Sequence, residues 1–86
     1  NYPNPFNPKT TISYDLGVDA HVTLTIYNIL GAAVKVLVDE YQSANNDYTV
    51  VWDGTDLNGL VVSSGVYFYR LSAGEFSETK KMMLMK

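Results

Sequence analysis

From Thr10 onward, apolar and polar residues alternate with a period of two. The run "TTISYDL" places Ile12, Tyr14 and Leu16 on one face and Thr11, Ser13 and Asp15 on the other. "VTLTIYN" sets Val22, Leu24 and Ile26 inward against Thr23, Thr25 and Tyr27. "AVKVLV" follows, with Val34, Val36 and Val38 alternating against Lys35 and Leu37, and "YTVVW" ends on Trp52. "VYFYRLS" is apolar on both faces, as a central strand can be, and "FSETKKMMLMK" is the last run. Successive side chains of a strand point to opposite faces, so this period, with its β-branched and aromatic residues, predicts strands throughout. Turn residues separate the runs: Gly17, "NILG", "SANND", "DGTDLNG" and "AGE". No stretch repeats at helical spacing. Six or seven short strands at roughly ten-residue intervals predict an all-β, antiparallel sandwich.

The segment before the first strand reads differently. In "NYPNPFNP", Pro3, Pro5 and Pro8 each follow Tyr or Asn. Proline pushes the preceding residue toward extended backbone and removes the donor that a central strand needs. Residues 1–9 are therefore expected to form an extended, Pro-rich lead-in along an edge or over the end of a sheet, with Tyr2 and Phe6 available to pin it.

Length and charge narrow the function classes. The 86 residues make one domain, 1–86, with a thin core and little room for a catalytic cleft. No run approaches the ~20 apolar residues of a membrane-spanning helix. The chain does not begin with Met and reads as a piece of a longer protein. Net charge is −3 with only six Lys and Arg, which argues against nucleic acid as a partner. There is no cysteine, which excludes disulfides, thiolate catalysis and Cys-ligated zinc.

The richest chemistry lies in "WDGTDLNG". Asp53, Asp56 and Asn58 are closely spaced oxygen donors, with Gly54 and Gly59 allowing tight backbone. A calcium ion wants about six to eight oxygens, more than this loop offers, so it is a weak metal candidate at best. Asx residues with glycine also build consecutive turns, and that reading is favoured. Trp52 ends an alternating strand and is expected in the core. Tyr67, after "SSG", is placed as in a tyrosine corner, whose hydroxyl bonds back to the backbone of the connection. His21 is the single histidine and has no candidate nucleophile beside it. Glu75 and Glu78 would need a cleft to act as a glycosidase pair. With no phosphate-binding Gly loop and no paired-His motif, neither an enzyme nor a cofactor is expected.

Four stretches together carry a family resemblance: "NYPNPFNPKTTISYDL", "TLTIYNILGAAVKVLV", "VVWDGTDLNGLVVSSGVYFYRL" and "ETKKMMLMK". The chain resembles the type A C-terminal sorting domain of the bacterial type IX secretion system. More loosely, it is similar to the immunoglobulin-like domain of the flagellar hook-capping protein. The resemblance implies an immunoglobulin-like sandwich of about seven strands, following an N-terminal cargo domain. It implies recognition by an outer-membrane translocon and removal by a sortase-like cysteine protease. The cargo would then be secreted or held at the cell surface, having passed through the periplasm, often attached to an anionic lipopolysaccharide.

The family's terminal motif falls on Lys80, Lys81, Met82, Met83, Leu84, Met85 and Lys86, with Met where the family commonly has Val and Leu. The resemblance therefore implies translocon recognition by these residues. Its middle motif falls on Gly65, Val66, Tyr67, Phe68, Arg70 and Leu71. Of these, Gly65, Tyr67, Phe68 and Leu71 are expected, with Trp52, to be structural core. On an edge, the last strand would allow a partner to add a strand of its own. Two other classes stay open: a carbohydrate-binding module using exposed aromatics, and a structural spacer of a secreted enzyme. The sequence leaves the oligomeric state undecided.

Overall fold

The computed structural model describes residues 9–85. Within them the chain forms six strands: β1 (Thr10–Leu16), β2 (Ala20–Tyr27), β3 (Ala33–Gln42), β4 (Asn45–Trp52), β5 (Gly65–Ala73) and β6 (Phe76–Leu84). All pairings are antiparallel. β1 and β4 make a two-stranded sheet, and the order β3-β2-β5-β6 makes a four-stranded one. The two layers are sandwich-like, and the core lies between them.

The inward residues of β2 are the centre of that core. Val22, Leu24 and Ile26 are fully buried, as is Trp52 at the end of β4. Ile12, Leu16, Leu71 and Leu84 join them. Full burial of an aliphatic side chain of this size contributes about 1.5–3 kcal/mol, so this small cluster supplies much of the stability of a thin core. β5 lies between β2 and β6; Tyr67, Leu71 and Ala73 on its inner face are buried, whereas Phe68 on its outer face is half-buried.

Two details differ from expectation. Among the described residues there are six strands, within the six or seven of the pattern but short of the seven that the resemblance implies. The stretch between Trp52 and Gly65 satisfies its backbone locally, as tight turns. Asp56 N–H bonds to Leu60 O, Gly59 N–H to Asp56 O and Val62 N–H to Gly54 O, leaving only an isolated bridge between Thr55 and Val61. The expected lead-in falls on residues that lie, apart from Lys9, outside the described ones.

The second difference is in β3. The register steps from Leu24↔Val38 to Thr25↔Val36, and from Ile26↔Lys35 to Tyr27↔Ala33, so Leu37 and Val34 are extra residues on that strand. Each bulge shifts the alternation by one. Val36, expected inward, is 44% exposed, and Leu37, expected outward, packs against the core.

Candidate functional site

The C-terminal strand is positioned by its register with β5. Gly65 faces Leu84, Val66 faces Met83, Tyr67 faces Met82, Phe68 faces Lys81 and Tyr69 faces Lys80. Residues opposite one another in an antiparallel pair share a face. Met82 and Leu84 therefore point inward beside Tyr67, and Leu84 is buried. Lys81 and Met83 point outward beside Phe68 and Val66, and both are exposed. Lys80 shares the inner face with Tyr69. There it borders a groove of about 380 Å³ with Ile12, Tyr14, Phe76 and Glu78. Met85 is exposed beyond the strand, and Lys86 lies outside the described residues. The motif thus divides between the two faces of one strand.

β6 pairs only with β5, so its other edge carries no strand among the described residues. Its first six residues, Phe76 to Lys81, are all exposed. The one acid–base contact among the described residues joins His21 and Asp39, so no described carboxylate holds Lys80 or Lys81. An unpaired edge with unengaged cations can accept a further strand or an acidic surface.

Trp52 and the turn after it form a separate constellation. The buried indole donates from Nε1 to the carbonyl of Thr55 at 2.9 Å. Its ring meets Tyr67 edge-on, with centroids 5.2 Å apart and planes at 67°. Tyr67 in turn donates its hydroxyl to Ser63 O at 2.7 Å. For Thr55 to reach back under Trp52, the chain must reverse sharply, and Gly54 supplies the left-handed residue at φ +78°.

The candidate metal donors are engaged in that reversal. Asp53 Oδ1 accepts from the Thr55 hydroxyl at 2.6 Å and the Thr55 N–H at 3.1 Å. Asp56 Oδ1 accepts from the N–H groups of Asn58 and Leu60. Lys35 sets its ammonium 3.3 Å from Thr55 Oγ1 and 3.2 Å from Asp56 O, so a cation already stands there. Asn58 is exposed at the tip. No group of three metal-capable acidic, His or Cys side chains occurs among the described residues. The Thr55 hydroxyl bond, chiefly, holds the Asp53 carboxyl below the usual range, with a smaller contribution from Lys35.

Trp52, Tyr67 and Leu71 are buried, whereas Gly65 and Phe68 are half-buried and outside the core cluster. Gly65 opens β5 at φ +151°, a backbone region that suits glycine. Phe68 faces outward because Tyr67, Tyr69 and Leu71 face the core. It borders a depression of about 320 Å³ with Tyr27, Ile29, Arg70 and Thr79. That outer-face group was missed in the sequence. Arg70, two positions from Phe68 and so on the same face, was the signal that could have revealed it.

The family model for the secretion system C-terminal sorting domain, the Por secretion tail, matches residues 1–85. A search of curated proteins finds no match. Among solved structures, FlgD from P. aeruginosa superposes with a TM-score of 0.68 at 22% identity. The match covers 87% of this chain and 57% of that one, so this chain spans little more than half the length of that structure. At this identity the likeness speaks for the fold, and it supports the immunoglobulin-like arrangement. With the family matched over nearly its whole length and the sandwich in place, the chain belongs to the secretion system C-terminal sorting domains of the type IX system.

Proposed function

We propose that this domain directs a cargo protein N-terminal to it through the outer-membrane translocon of the type IX system. The C-terminal motif, Lys80 to Lys86, which begins within β6, is the part engaged. The observation that carries this reading is β6 itself: an edge strand paired on one side, exposed over most of its length, with lysines that no carboxylate holds. After passage from the periplasm, a sortase-like cysteine protease removes the domain, and the cargo is released or attached at the cell surface. No catalytic role falls to the domain. A sugar-binding module would need two or three coplanar, exposed aromatics on one face, and Trp52, fully buried, is not available as one of them.

The test is a fusion. Residues 1–86 are joined to the C-terminus of a reporter bearing an ordinary export signal, in a bacterium that owns the type IX machinery. The reporter is expected at the cell surface or in the medium, without the domain. A reporter that stays in the periplasm with its domain intact would overturn the proposal.

A further inference from the structure

The sorting motif as a string does not distinguish a linear tail from a folded face. We infer that the outer face of the β2-β5-β6 sheet is the docking surface, and that its partner is an acidic, partly apolar protein face of the translocon. This rests on the sorting function proposed above and names the surface it uses.

The register assembles that face from three distant parts of the chain. Tyr27, Phe68 and Lys81 stand in one row across the strands, and Thr25, Arg70 and Thr79 in the next. Val66 and Met83 form a shorter row toward the end of β6. Met83 is 59% exposed, and Ile29 at the rim is 69% exposed. Across these rows Tyr27, Val66 and Phe68 are half-buried, and Arg70, Thr79 and Lys81 are exposed. Tyr, Phe, Met and Arg are the side chains enriched where proteins meet, and an open apolar patch of this kind marks an interaction site.

Charge selects the occupant. The chain is acidic overall, at −3, yet Arg70 and Lys81 make this patch cationic. Of the carboxylates near it, Glu78 lies opposite Leu71 and therefore on the inner face. Glu40 lies opposite Val22, again inward. Asp39 is on the outer face, but at the far end, where it is paired with His21 at 2.6 Å. A cationic patch on an acidic domain favours a partner with carboxylates of its own, because complementary charge sets encounter rate and orientation. Two copies of the patch face to face would instead bring Arg70 and Lys81 against their own kind.

Adjacent lysines provide the experiment. Lys80 and Lys81 are neighbours in sequence, both exposed, and reversal of either changes net charge equally. They point to opposite faces. In the reporter fusion, Lys81→Glu and Arg70→Glu are each expected to lower export by about tenfold or more, since like charges juxtaposed at an interface are costly. Lys80→Glu, on the opposite face of the same strand, is expected to lower export several-fold less than Lys81→Glu. Unchanged melting temperatures of the purified domains would separate docking from folding. A photo-crosslinking residue at Thr79, on the outer face, is expected to capture a protein of the outer-membrane machinery, whereas one at Glu78 is not.

Equal losses for Lys80→Glu and Lys81→Glu would overturn the folded-face inference in favour of a linear basic tail. So would adducts at Thr79 consisting only of a second copy of the chain or of glycan. If the unmodified fusion itself stays in the periplasm, the sorting function fails first and this inference falls with it. If it exports and the outer-face variants export equally well, sorting stands and only the docking surface is wrong.

Discussion

Replacing Trp52 with Ala tests whether the Trp-turn constellation holds the sandwich closed. The side chain is completely buried, so its removal leaves a cavity that neighbours fill only in part. Trp→Ala in such a site costs ~3–5 kcal/mol. Two local features push toward the upper end. The Thr55 carbonyl loses the indole N–H, and an unpaired buried acceptor costs ~1–3 kcal/mol. Tyr67 loses its edge-on partner, worth ~0.5–1.5 kcal/mol beyond area. An 86-residue domain has about 4–13 kcal/mol in total, so the Ala variant should be marginal or unfolded at 25 °C. Trp52→Phe keeps a ring but breaks the bond to Thr55, and is expected to lose about 1–3 kcal/mol. Urea unfolding followed by far-UV circular dichroism suits both variants, because the fluorophore itself is removed. A loss under about 1 kcal/mol for Trp52→Ala would refute the reasoning, place the indole in a replaceable position and reopen the sugar-binding class.

The remaining predictions concern the turn after Trp52. Millimolar calcium is expected to leave the melting temperature unchanged, because Asp53 and Asp56 already serve Thr55, Asn58 and Leu60 and Lys35 stands among them. A ligand at 100 times its dissociation constant would add ~2.7 kcal/mol, so a rise of several degrees reversed by chelator would defeat the turn-only reading. The Asp53 carboxyl has its folded pKa lowered, by the Thr55 hydroxyl first. Its contribution is therefore fully present above the ordinary carboxylate value of ~3.9, and is lost as pH falls through the lowered folded value. Asp53→Asn should flatten that part of the stability–pH curve, and an acid limb identical in both forms would show that Asp53 contributes nothing to it.

The central strands were legible because burial on one face enforces alternation, and β2 shows it without exception at Val22, Leu24 and Ile26. β3 was not, although its "AVKVLV" alternates on paper. Its bulges arise from pairing with β2, and no residue within the run marks where Leu37 and Val34 are inserted. The turn chemistry of Asp53 and Asp56 could be read, since an Asx side chain bonds backbone only a few residues away. The approach of Lys35, twenty positions distant from Thr55, could not. A seventh strand was expected from the resemblance, whereas the local bonds between Asp56, Gly59 and Leu60 keep that connection in turns among the described residues.

The terminal motif is the part where sequence and structure are most easily confused. As a string, Lys80 to Lys86 reads as one basic, apolar signal. As a strand, its alternate residues have different occupations: Met82 and Leu84 fill the core beside Tyr67, while Lys81 and Met83 stand outside. Deleting Met82 onward would remove buried Leu84 together with exposed Met83, and a loss of export would then follow from unfolding as readily as from lost recognition. Core substitutions within the motif suffer the same ambiguity, since replacing a buried Leu by Ala costs ~2–5 kcal/mol, a large share of what a domain this size possesses. Only the outward positions alter what a partner meets while leaving the fold nearly unchanged. The division of one strand between core and surface therefore determines which substitutions can report on sorting at all, and it singles out Lys81, with Arg70 in the next row on β5, as the pair whose charge can be changed without disturbing the sandwich.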